Sequence, residues 1–580
     1  MKSETKICQN CKNSFIIEPD DFAFYEKIKV PPPTWCFECR MVRRMLFRNE
    51  RSLYRSDCGL CKKSVISIYA PENKYNVFCI DCYNSDDWDP HSFALKYDFN
   101  KPFFEQLGEL FKKIPRRNLY QDFAVNSEYT NQIVHIKNSY LCFGGHHYED
   151  SSYCAQNFFI KNCLDVDFSS SSEFCFESFY LRKCFRVRFG YYSEDCMDSW
   201  LIYNCRNCSN CICCVNLRSQ SYCIFNQRYT KEEYEKKLKE MNLADADNLE
   251  KTKKTFLEHT LNFPRKYANL KNVVNSVGDN LEQVKNCRYV FSVSEAENVR
   301  YSFFIPYGGA KDCFDVDHVG VGSTEVYELH SGFGDNRVLF SNRVYYSHNV
   351  EYSDDCYNSE YLFGCAGLRK KSYCILNKEY TREEYEDLRN KIKEHMAQMP
   401  YSDKKDRVFQ YGEFFPMDII PFAYNDSVVN EYFPLTKSEI LEKGFKYKEP
   451  EARNYKPTIL PHQLPLIEQA DEKILEEIIQ CEHLEKCNDR CTLAFRIIQN
   501  ELNISKMLGV SLPRLCPNCR HMSRIKLLNS PKLYHRECMC DKKNHHNHNT
   551  GKCETEFETS YAPERPEIVY CEKCYQQEVY

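Results

Sequence analysis

The 580-residue sequence predicts a mainly β protein, in which a parallel β-solenoid with peripheral helices lies between two cysteine-rich terminal modules. Two observations lead to this prediction. Each end of the chain carries paired Cys-x2-Cys motifs. The central cysteines recur with gaps that alternate between 12 and 9 residues, a repeat of 21, at Cys142, Cys154, Cys163, Cys175, Cys184, Cys196 and Cys205. A fixed period near 20 residues is typical of stacked structural repeats.

Composition limits the class of protein. The chain is long enough for several domains, and its net charge of -5 is small for 580 residues, so wholesale attraction to nucleic acid or to an anionic membrane is not expected. The first residues lack the apolar core of a secretory signal, and no long apolar run follows. We therefore expect a cytoplasmic protein with no membrane partner. In that reducing compartment, 35 cysteines indicate metal sites or buried thiols rather than disulfides.

Two four-cysteine metal sites are predicted within residues 1–89. Two Cys-x2-Cys pairs together supply the four thiolates of a tetrahedral zinc site, and this spacing occurs twice. Because four thiolates fill the coordination shell, we interpret both sites as structural rather than catalytic, in zinc-ribbon-like or treble-clef-like modules. The predicted ligands are Cys8, Cys11, Cys36, Cys39, Cys58, Cys61, Cys79 and Cys82.

Residues 475–580 repeat this arrangement. Cys11 and Cys36 reappear 480 positions later as Cys491 and Cys516, and the offset becomes 492 after the insert DKKNHHNHNTGK. The predicted ligands are Cys487, Cys491, Cys516, Cys519, Cys538, Cys553, Cys571 and Cys574, which brings the total to about four structural Zn²⁺ ions.

Two of these assignments stay open. Position 488, where the counterpart of Cys8 should fall, is asparagine, so Cys481 and His483 compete with Cys487. Cys540 likewise competes for the last site. We interpret the histidines of the insert as a solvated loop in preference to a further metal site; they are His545, His546 and His548.

A basic connector joins the two sites of each module, CRMVRRMLFRNERSLYRSDC in the first and CRHMSRIKLLNSPKLYHREC in the second. Helical spacing would gather its cations on one face, a plausible clamp for phosphates or exposed bases. The alternative is that these arginines pair with acidic residues in the middle of the same chain. The predicted nucleic-acid-binding residues are Arg40, Arg43, Arg44, Arg48, Arg51, Arg55, Arg520, Arg524, Lys526 and Arg536.

The central repeat predicts short strands, because apolar and polar residues alternate after each cysteine. Stacking at the 21-residue step would place Asp165 and Asp167 beside Arg186 and Arg188. A small buried thiol suits the inner corner of a coil, so we assign packing to the regular cysteines. The denser cluster could also hold a metal, and the sequence leaves this open for Cys205, Cys208, Cys211, Cys213 and Cys214.

The middle of the chain is also duplicated. CVNLRSQSYCIFNQRYTKEEYE, which closes a first solenoid block at residues 121–228, matches CAGLRKKSYCILNKEYTREEYE, which closes a second block at residues 269–379. In each copy a Thr-x-x-Glu capping box predicts a following helix, in a helical insertion at 229–268 and a capping helix at 380–407. An amphipathic linker helix is predicted within 90–120, and residues 408–474 form a second linker.

An enzymatic interpretation depends on Asp315, Asp317 and His318, since solenoids with exposed aspartates can act as polysaccharide hydrolases or lyases. No phosphate loop, His-Glu-x-x-His or Gly-x-Ser-x-Gly motif occurs. The sequence therefore favours a non-enzymatic protein with no evident small-molecule substrate.

The terminal Cys-x2-Cys modules, the CRMVRRMLFRNERSLY connector and the SYCI-x-N-x-x-YT closure resemble a group of large, uncharacterised bacterial zinc-ribbon proteins. The resemblance covers nearly the whole chain and implies zinc binding. We expect a zinc-binding scaffold whose partner is RNA or DNA, and a ribonucleoprotein is one form that this complex would take. A protein–protein interaction platform that uses the solenoid faces is the alternative.

Overall fold

The computed structural model describes residues 2–306, 308–450, 455–484, 486–487, 489–543, 545, 548 and 551–580. Strands account for 34% and helices for 24% of the residues, which confirms the predicted mainly β class. Among the described residues, every helix is too short or too polar to span a bilayer.

The N-terminal module combines short hairpins with short helices, as expected for small units held by metal. Its elements, with the linker helix that follows, are β1 (Glu4–Ile7), β2 (Ser14–Ile17), α1 (Pro19–Ile28), α2 (Phe37–Met45), β3 (Tyr54–Asp57), β4 (Ser64–Ser67), β5 (Val77–Phe78), α3 (Ile80–Asn84), α4 (Phe103–Lys113) and β6 (Arg116–Arg117). The pairs β1–β2 and β3–β4 are antiparallel hairpins. Helix α4 lies where the amphipathic pattern predicts it, with its apolar face buried.

The first sheet contains twelve strands, which pair in parallel except for the closing hairpin. They are β7 (Gln121–Val125), β8 (Asn131–Lys137), β9 (Phe143–Glu149), β10 (Ala155–Lys161), β11 (Leu164–Asp167), β12 (Ser170–Glu173), β13 (Phe176–Phe179), β14 (Phe185–Tyr191), β15 (Met197–Tyr203), β16 (Ser209–Val215), β17 (Ser221–Ile224) and β18 (Gln227–Arg228). Pairings among β10, β11, β13, β14 and β12 close a ring of five strands.

Paired rows of the first sheet are twelve residues apart, so the predicted step of 21 is wrong. Phe143 pairs with Ala155, and Ala155 pairs with Asp167. The sequence period of 21 is the sum of one row and a nine-residue step to the neighbouring corner of the next row. Cys154 shows this step, since its Sγ donates to the carbonyl of Cys163, nine residues ahead, at 3.6 Å.

Each row turns through residues with left-handed backbone. Positive φ recurs at every third residue, for example at Gln132 (57°), His135 (57°) and Asn138 (49°). Non-glycine residues seldom adopt this conformation, and the sequence carries few glycines here to announce it. The turns limit the straight run between corners to very few residues, which is why the row is much shorter than the predicted coil.

The regular cysteines pack inside the first sheet, as predicted. Cys142, Cys154, Cys163 and Cys175 are fully buried and share an apolar cluster with residues such as Val166. Their thiols donate to carbonyls of the same and the next row. Burial without solvent contact raises the pKa of Cys154 and Cys175, as expected for inert packing thiols.

The second sheet also has twelve strands, and its rows are 11 to 14 residues apart. Two helices and β19 precede it. The elements are α5 (Lys231–Met241), α6 (Ala246–Thr260), β19 (Arg265–Lys266), β20 (Leu270–Lys271), β21 (Val277–Glu282), β22 (Arg288–Ser294), β23 (Ala296–Ile305), β24 (Ala310–Gly320), β25 (Tyr327–Phe333), β26 (Asn336–Tyr345), β27 (His348–Glu351), β28 (Asp354–Tyr357), β29 (Glu360–Phe363), β30 (Ser372–Ile375) and β31 (Lys378–Glu379).

Both predicted capping boxes begin a helix. Thr230 accepts a hydrogen bond from the backbone of Glu233 at the start of α5, and Thr381 accepts one from the backbone of Glu384 at the start of α7 (Arg382–Gln398). Strand β32 (Tyr401–Ser402) follows α7. The second linker is mostly irregular and contains β33 (Val408–Phe409), α8 (Val429–Tyr432) and α9 (Lys437–Glu442).

The C-terminal module repeats the elements of the N-terminal module, with an N-terminal hairpin of only two residues per strand. They are β34 (Ile479–Gln480), β35 (Ala494–Phe495), α10 (Gln499–Leu508), α11 (Pro517–Ile525), β36 (Tyr534–Glu537), β37 (Glu556–Thr559), β38 (Val569–Tyr570) and α12 (Glu572–Val579). Short 3₁₀ turns elsewhere cover Pro71–Asn73, Pro90–Phe93, Met417–Ile419, Tyr424–Asp426, Pro461–Gln463 and Glu472–Leu475.

Candidate metal centres and buried arginine clamps

The structure gathers both predicted N-terminal cysteine sets. In each set the four Sγ atoms lie within 4.8 Å of one another. One cysteine of each set, Cys36 or Cys79, is the residue that immediately precedes a helix, α2 or α3. Its backbone N–H donates to the Sγ of Cys8 or Cys58, at 3.2 and 3.3 Å. Four converging sulfurs supported by backbone donors fit a structural zinc ion.

The third site uses a different thiol from the predicted one. The four sulfurs within 4.8 Å of one another belong to Cys481, Cys491, Cys516 and Cys519. The predicted ligand Cys487 lies beside this group, with its Sγ 3.7 Å from that of Cys519. The assignment of Cys487 is therefore corrected to Cys481, one of the alternatives that the sequence left open.

Backbone hydrogen bonds explain the correction. The N–H of Cys516 donates to the Sγ of Cys481 at 3.2 Å, as the N–H of Cys36 donates to Cys8. Cys481 is thus the counterpart of Cys8, and the loop that follows it is seven residues longer than in the first copy. The predicted ligand was wrong because the constant offset of 480 takes no account of this insertion. The offset points to position 488, and Cys487 is the thiol nearest to it.

The fourth site forms from Cys538, Cys553, Cys571 and Cys574, as predicted. All four are buried, and the N–H of Cys571 donates to the Sγ of Cys538 at 3.2 Å. The four sites together fit about four tetrahedral, closed coordination shells, and none leaves a position for a substrate.

The connectors carry arginines that are buried rather than exposed. Arg40 and Arg44 project from α2 onto β24 of the second sheet. Arg40 Nη2 lies 3.0 Å from Asp315 Oδ2, Arg44 Nη1 lies 3.0 Å from Asp315 Oδ1, and Arg44 Nε lies 3.0 Å from Asp317 Oδ2. No side chain of this group is more than 2% exposed. We call this group the N-terminal clamp.

Two further connector arginines are buried beside the N-terminal clamp. Arg43 contacts Glu328 of the second sheet at 2.8 Å and Glu413 of the linker at 3.2 Å, and Arg48 pairs with Glu50. Burial raises the pKa of Glu328 to about 7, although Arg43 opposes the shift. Both arginines therefore form their ion pairs with carboxylates of the same chain.

The C-terminal module docks in the same way on the first sheet. Arg520 Nε lies 3.2 Å from Asp165 Oδ2, Arg524 Nη1 lies 2.9 Å from Asp165 Oδ1, and Arg524 Nε lies 2.8 Å from Asp167 Oδ2. Arg520 also contacts Glu501 at 2.7 Å. Burial alone would raise the pKa of Asp167, but Arg524 lowers it below its usual value. We call this group the C-terminal clamp.

The predicted pairing of Asp165 and Asp167 with Arg186 and Arg188 is therefore wrong. It depended on the 21-residue step, which does not describe the rows. Arg186 instead pairs with Asp198, twelve residues ahead in the next row, at 2.7 Å. The carboxylates of both clamps point out of their sheets toward the module that covers them.

Six of the ten predicted nucleic-acid-binding residues thus lie in buried ion pairs and cannot face an external ligand. Arg51 and Arg536 are half-buried. Only Arg55 and Lys526 are exposed, and Lys526 pairs with Asp489 at 2.6 Å. The connectors are the internal alternative that the sequence left open: their charge docks each module on the body of the protein.

Each module also contacts the start of the other sheet. Strand β5 pairs in parallel with β6, with Val77 opposite Arg116 just before the first sheet. Strand β38 pairs in the same way with β19, with Val569 opposite Arg265 just before the second sheet. Every module therefore bridges both sheets, one through its clamp and the other through this strand pair.

The residues considered for catalysis lie inside the N-terminal clamp. Asp315 and Asp317 are 0% exposed, and His318 is 8% exposed with its Nε2 3.1 Å from Gln156 Oε1. Carboxylates that are buried and ion-paired cannot reach a polysaccharide, so this geometry does not support the hydrolase or lyase alternative.

A sequence signal for the clamps existed. The segment NCLDVD, with Asp165 and Asp167, recurs 150 positions later as DCFDVD, with Asp315 and Asp317. The connector arginines recur 480 positions apart. The acidic pair and the basic helix each occur twice, so they could have been matched as two copies of one contact. Nothing in the sequence gives Glu328 or Glu413 as partners of Arg43.

A groove of about 1140 Å³ lies between the two sheets and beside α12. Seven basic and four acidic side chains line it, so cations are in excess. Arg182 spans the groove to Glu282 of the second sheet at 2.7 Å. Lys183 and Arg206 are exposed and, within the part of the chain that is described, form no ion pair. No pattern in the sequence indicates this groove, because its walls come from two separate sheets.

Aromatic rings form a row along one wall of this groove. Tyr180 stacks with Phe168 at a centroid distance of 5.2 Å and with Tyr192 at 5.1 Å, and Tyr203 follows at 5.6 Å. The guanidinium of Arg265 lies 3.5 Å from the ring centroid of Tyr203. Phe168, Tyr180 and Tyr192 follow the twelve-residue register of the first sheet, and Tyr203 comes eleven residues after Tyr192.

Comparison with known proteins gives no family. No protein-family model matches the sequence, and no curated protein matches it. Among solved structures, the chain is similar to a Desulfovibrio desulfuricans G20 protein described as an acetyltransferase candidate, with 8% identity over 49% of this chain and 84% of that chain. The TM-score of 0.10 is too low to carry an argument. The terminal modules are zinc-ribbon-like on their cysteine geometry alone.

Proposed function

We propose that the chain is a non-enzymatic, zinc-stabilised scaffold that binds single-stranded nucleic acid in the groove between its two sheets. The observation that carries this proposal is the excess of cations over a row of aromatic rings on a rigidly held surface. Its 35 cysteines, which form no disulfide among the described residues, favour a reducing compartment such as the cytoplasm.

We further infer that each twelve-stranded sheet winds as a parallel β-solenoid with about twelve residues per coil. The step between paired strands, which is twelve residues in the first sheet and 11 to 14 in the second, supports this inference, as do the left-handed residue at every third position and the internal column of thiols. Such a stack would hold side chains twelve residues apart in straight ladders, about 4.8 Å from row to row.

The chemistry of the groove suits a single strand better than a duplex. Proteins that bind single strands without sequence preference combine a basic track for phosphates with aromatic faces for bases. Lys183 and Arg206 supply free cations near the row of rings, and Arg265 already lies over Tyr203. The connectors, to which the sequence assigned this role, have their arginines occupied internally, so the groove replaces them as the binding surface.

Fluorescence anisotropy with a labelled oligo-uridine and a labelled oligo-thymidine tests the proposal. Wild-type protein is expected to bind at low salt and to lose affinity as salt rises, because counterions are released from the strand. The double variant K183E/R206E is expected to bind at least about tenfold more weakly. Absence of binding at low salt, or equal affinity of this variant, would overturn the proposal.

A matched variant separates the groove from the connectors. R55E/K526E reverses the two exposed cations among the predicted nucleic-acid-binding residues and changes the net charge by the same amount as K183E/R206E. The groove proposal predicts that R55E/K526E retains most of the wild-type affinity. If only R55E/K526E loses binding, the connector is the binding surface after all.

A protein partner is the second candidate, and one feature favours it. Among the described residues, strand β7 pairs only with β8, which leaves its other edge open, and Phe123 and Val125 on this strand are 72% and 59% exposed. An open edge with apolar side chains can accept a strand from another protein. Pull-down with and without nuclease separates the candidates, since only a partner bridged by nucleic acid is lost after digestion.

A further inference from the structure

The insert of the C-terminal module brings a second set of metal-ligating atoms next to the fourth zinc site. Cys540, His545, His548 and Cys574 each offer one ligand atom, and these atoms lie within 4.8 Å of one another. His546 falls outside the described residues. The N-terminal module has no such insert, and the position of Cys540 is Leu60 there. This set is therefore an addition to the duplicated plan.

Cys540 and His545 lie in the interior of the module, and a carboxylate orients the ring of His545. Cys540 is fully buried and His545 is 4% exposed. Nδ1 of His545 lies 3.5 Å from the Sγ of Cys540, while its Nε2 lies 3.0 Å from Glu578 Oε1. A carboxylate that accepts from one ring nitrogen fixes the other as the metal-binding nitrogen. The prediction of a solvated loop is thus wrong for His545.

His548 supplies a second, independent observation. Both of its ring nitrogens are buried, and neither has a hydrogen-bond partner among the described residues. A buried polar atom without a partner is unfavourable and calls for one, such as an ion. The ring of His548 lies 5.3 Å from that of His545, and one of its ring nitrogens lies within 4.8 Å of the sulfurs of Cys540 and Cys574.

We propose that Cys540, His545, His548 and Cys574 bind an additional zinc ion, with the Cys574 thiolate shared between this ion and the ion of the fourth site. The four thiols of the fourth site already form a complete set, so Cys540 and the histidines are not needed there. Two sulfurs and two imidazoles match the ligand preference of Zn²⁺ and exclude the oxygen-seeking Mg²⁺ and Ca²⁺. The C-terminal module then holds one more ion than the N-terminal module.

Metal counting on the full-length chain tests this proposal. The protein is purified with added zinc, freed of loose metal by gel filtration, and measured by plasma mass spectrometry against amino-acid analysis. Wild type is expected to carry one zinc ion more than the H545N/H548N variant. The C540S variant is expected to lose the same single ion, which makes the result independent of the histidine substitutions.

The control is H535N, which removes an exposed histidine of the same module that pairs with Glu558 and lies outside the cluster. It should keep the wild-type zinc content. Zinc X-ray absorption adds a second readout, because an ion pair that shares a thiolate gives a metal–metal distance of about 3.5–4 Å that H545N/H548N should lack. Equal zinc content in wild type and H545N/H548N, or the loss of two ions in C540S, would overturn the proposal.

Discussion

Arg44 of the N-terminal module and Asp317 of the second sheet form a fully buried ion pair, with Nε 3.0 Å from Oδ2. Arg524 and Asp167 repeat this contact at 2.8 Å between the C-terminal module and the first sheet. The duplicated sequence therefore carries a duplicated interface, whose halves are exchanged: each module clamps the sheet that is more distant along the chain. A four-cysteine set lies at the start of each of these helices, and the arginines of the helix contact the sheet.

The substitution Arg44→Met should lower the free energy of unfolding by about 3–5 kcal/mol, because it leaves the buried carboxylate of Asp317 without its arginine and that of Asp315 with Arg40 alone. Arg524→Met should cost a similar amount in the C-terminal clamp. Urea denaturation followed by far-ultraviolet circular dichroism measures both values.

Arg55→Met serves as the control for the clamp variants, since Arg55 is an exposed arginine of the same connector. Its effect should stay within about 0.5 kcal/mol. The double variant Arg44→Met/Asp317→Leu should recover part of the loss, as replacing both partners removes the uncompensated charge. A clamp variant as stable as Arg55→Met would contradict the assignment.

Cys481→Ser should release one zinc ion per chain, whereas Cys487→Ser should keep the wild-type content. The difference follows from the backbone hydrogen bond that places Cys481 where Cys8 stands in the first copy. Zinc content by mass spectrometry decides between them. The reverse pattern would show that Cys487 is the ligand and that Cys481 is the bystander.

Cys163→Ala should leave the zinc content unchanged and lower the free energy of unfolding by about 1 kcal/mol, through a small cavity in the thiol column. Cys36→Ala, a matched loss of one thiol at a metal site, should instead remove one zinc ion. Loss of zinc in Cys163→Ala would show that the central cysteines bind metal and are not only packing.

Acidification below about pH 6.5 should destabilise the fold through His330, whose side chain is fully buried near Arg48. Burial lowers the pKa of His330 well below its usual value of 6.5, with the charge of Arg48 adding to the shift. The unfolded chain then binds a proton that the folded chain does not, so stability is present above about pH 6.5 and falls as the pH drops.

Urea denaturation at about pH 7.5 and about pH 5.5 measures this dependence, which His330→Gln should reduce. Zinc content is determined in the same samples, because protonated thiolates release metal and would add a separate loss. A His330→Gln variant with the full wild-type pH dependence would rule out His330 as the titrating group.

Chemistry that depends on local spacing could be predicted from the sequence. Cys-x2-Cys pairs place two thiols around one turn, so six of the eight ligand pairs fall where the motif puts them, and the capping boxes at Thr230 and Thr381 begin helices. The exceptions are Cys481 with Cys491 and Cys538 with Cys553, where an insertion separates the two thiols.

Features that depend on three-dimensional arrangement could not be predicted in this way. The row length was missed because residues such as His135 adopt the left-handed backbone conformation although they are not glycine, the residue type that indicates this conformation in a sequence. The fate of the connector was missed because an arginine in a helix looks alike whether it faces solvent or Asp317. The groove was missed because its walls belong to two sheets, and the sequence does not show that these sheets face each other.

The exchanged clamps have a consequence for synthesis of the chain. The N-terminal module emerges from the ribosome long before Asp315 and Asp317 have been translated. The arginines of α2 are therefore exposed to solvent until β24 has been made. A nascent polypeptide that stops before β24 would carry folded zinc centres and a cationic helix without its carboxylate partners. Polyanions in the cell would bind this helix.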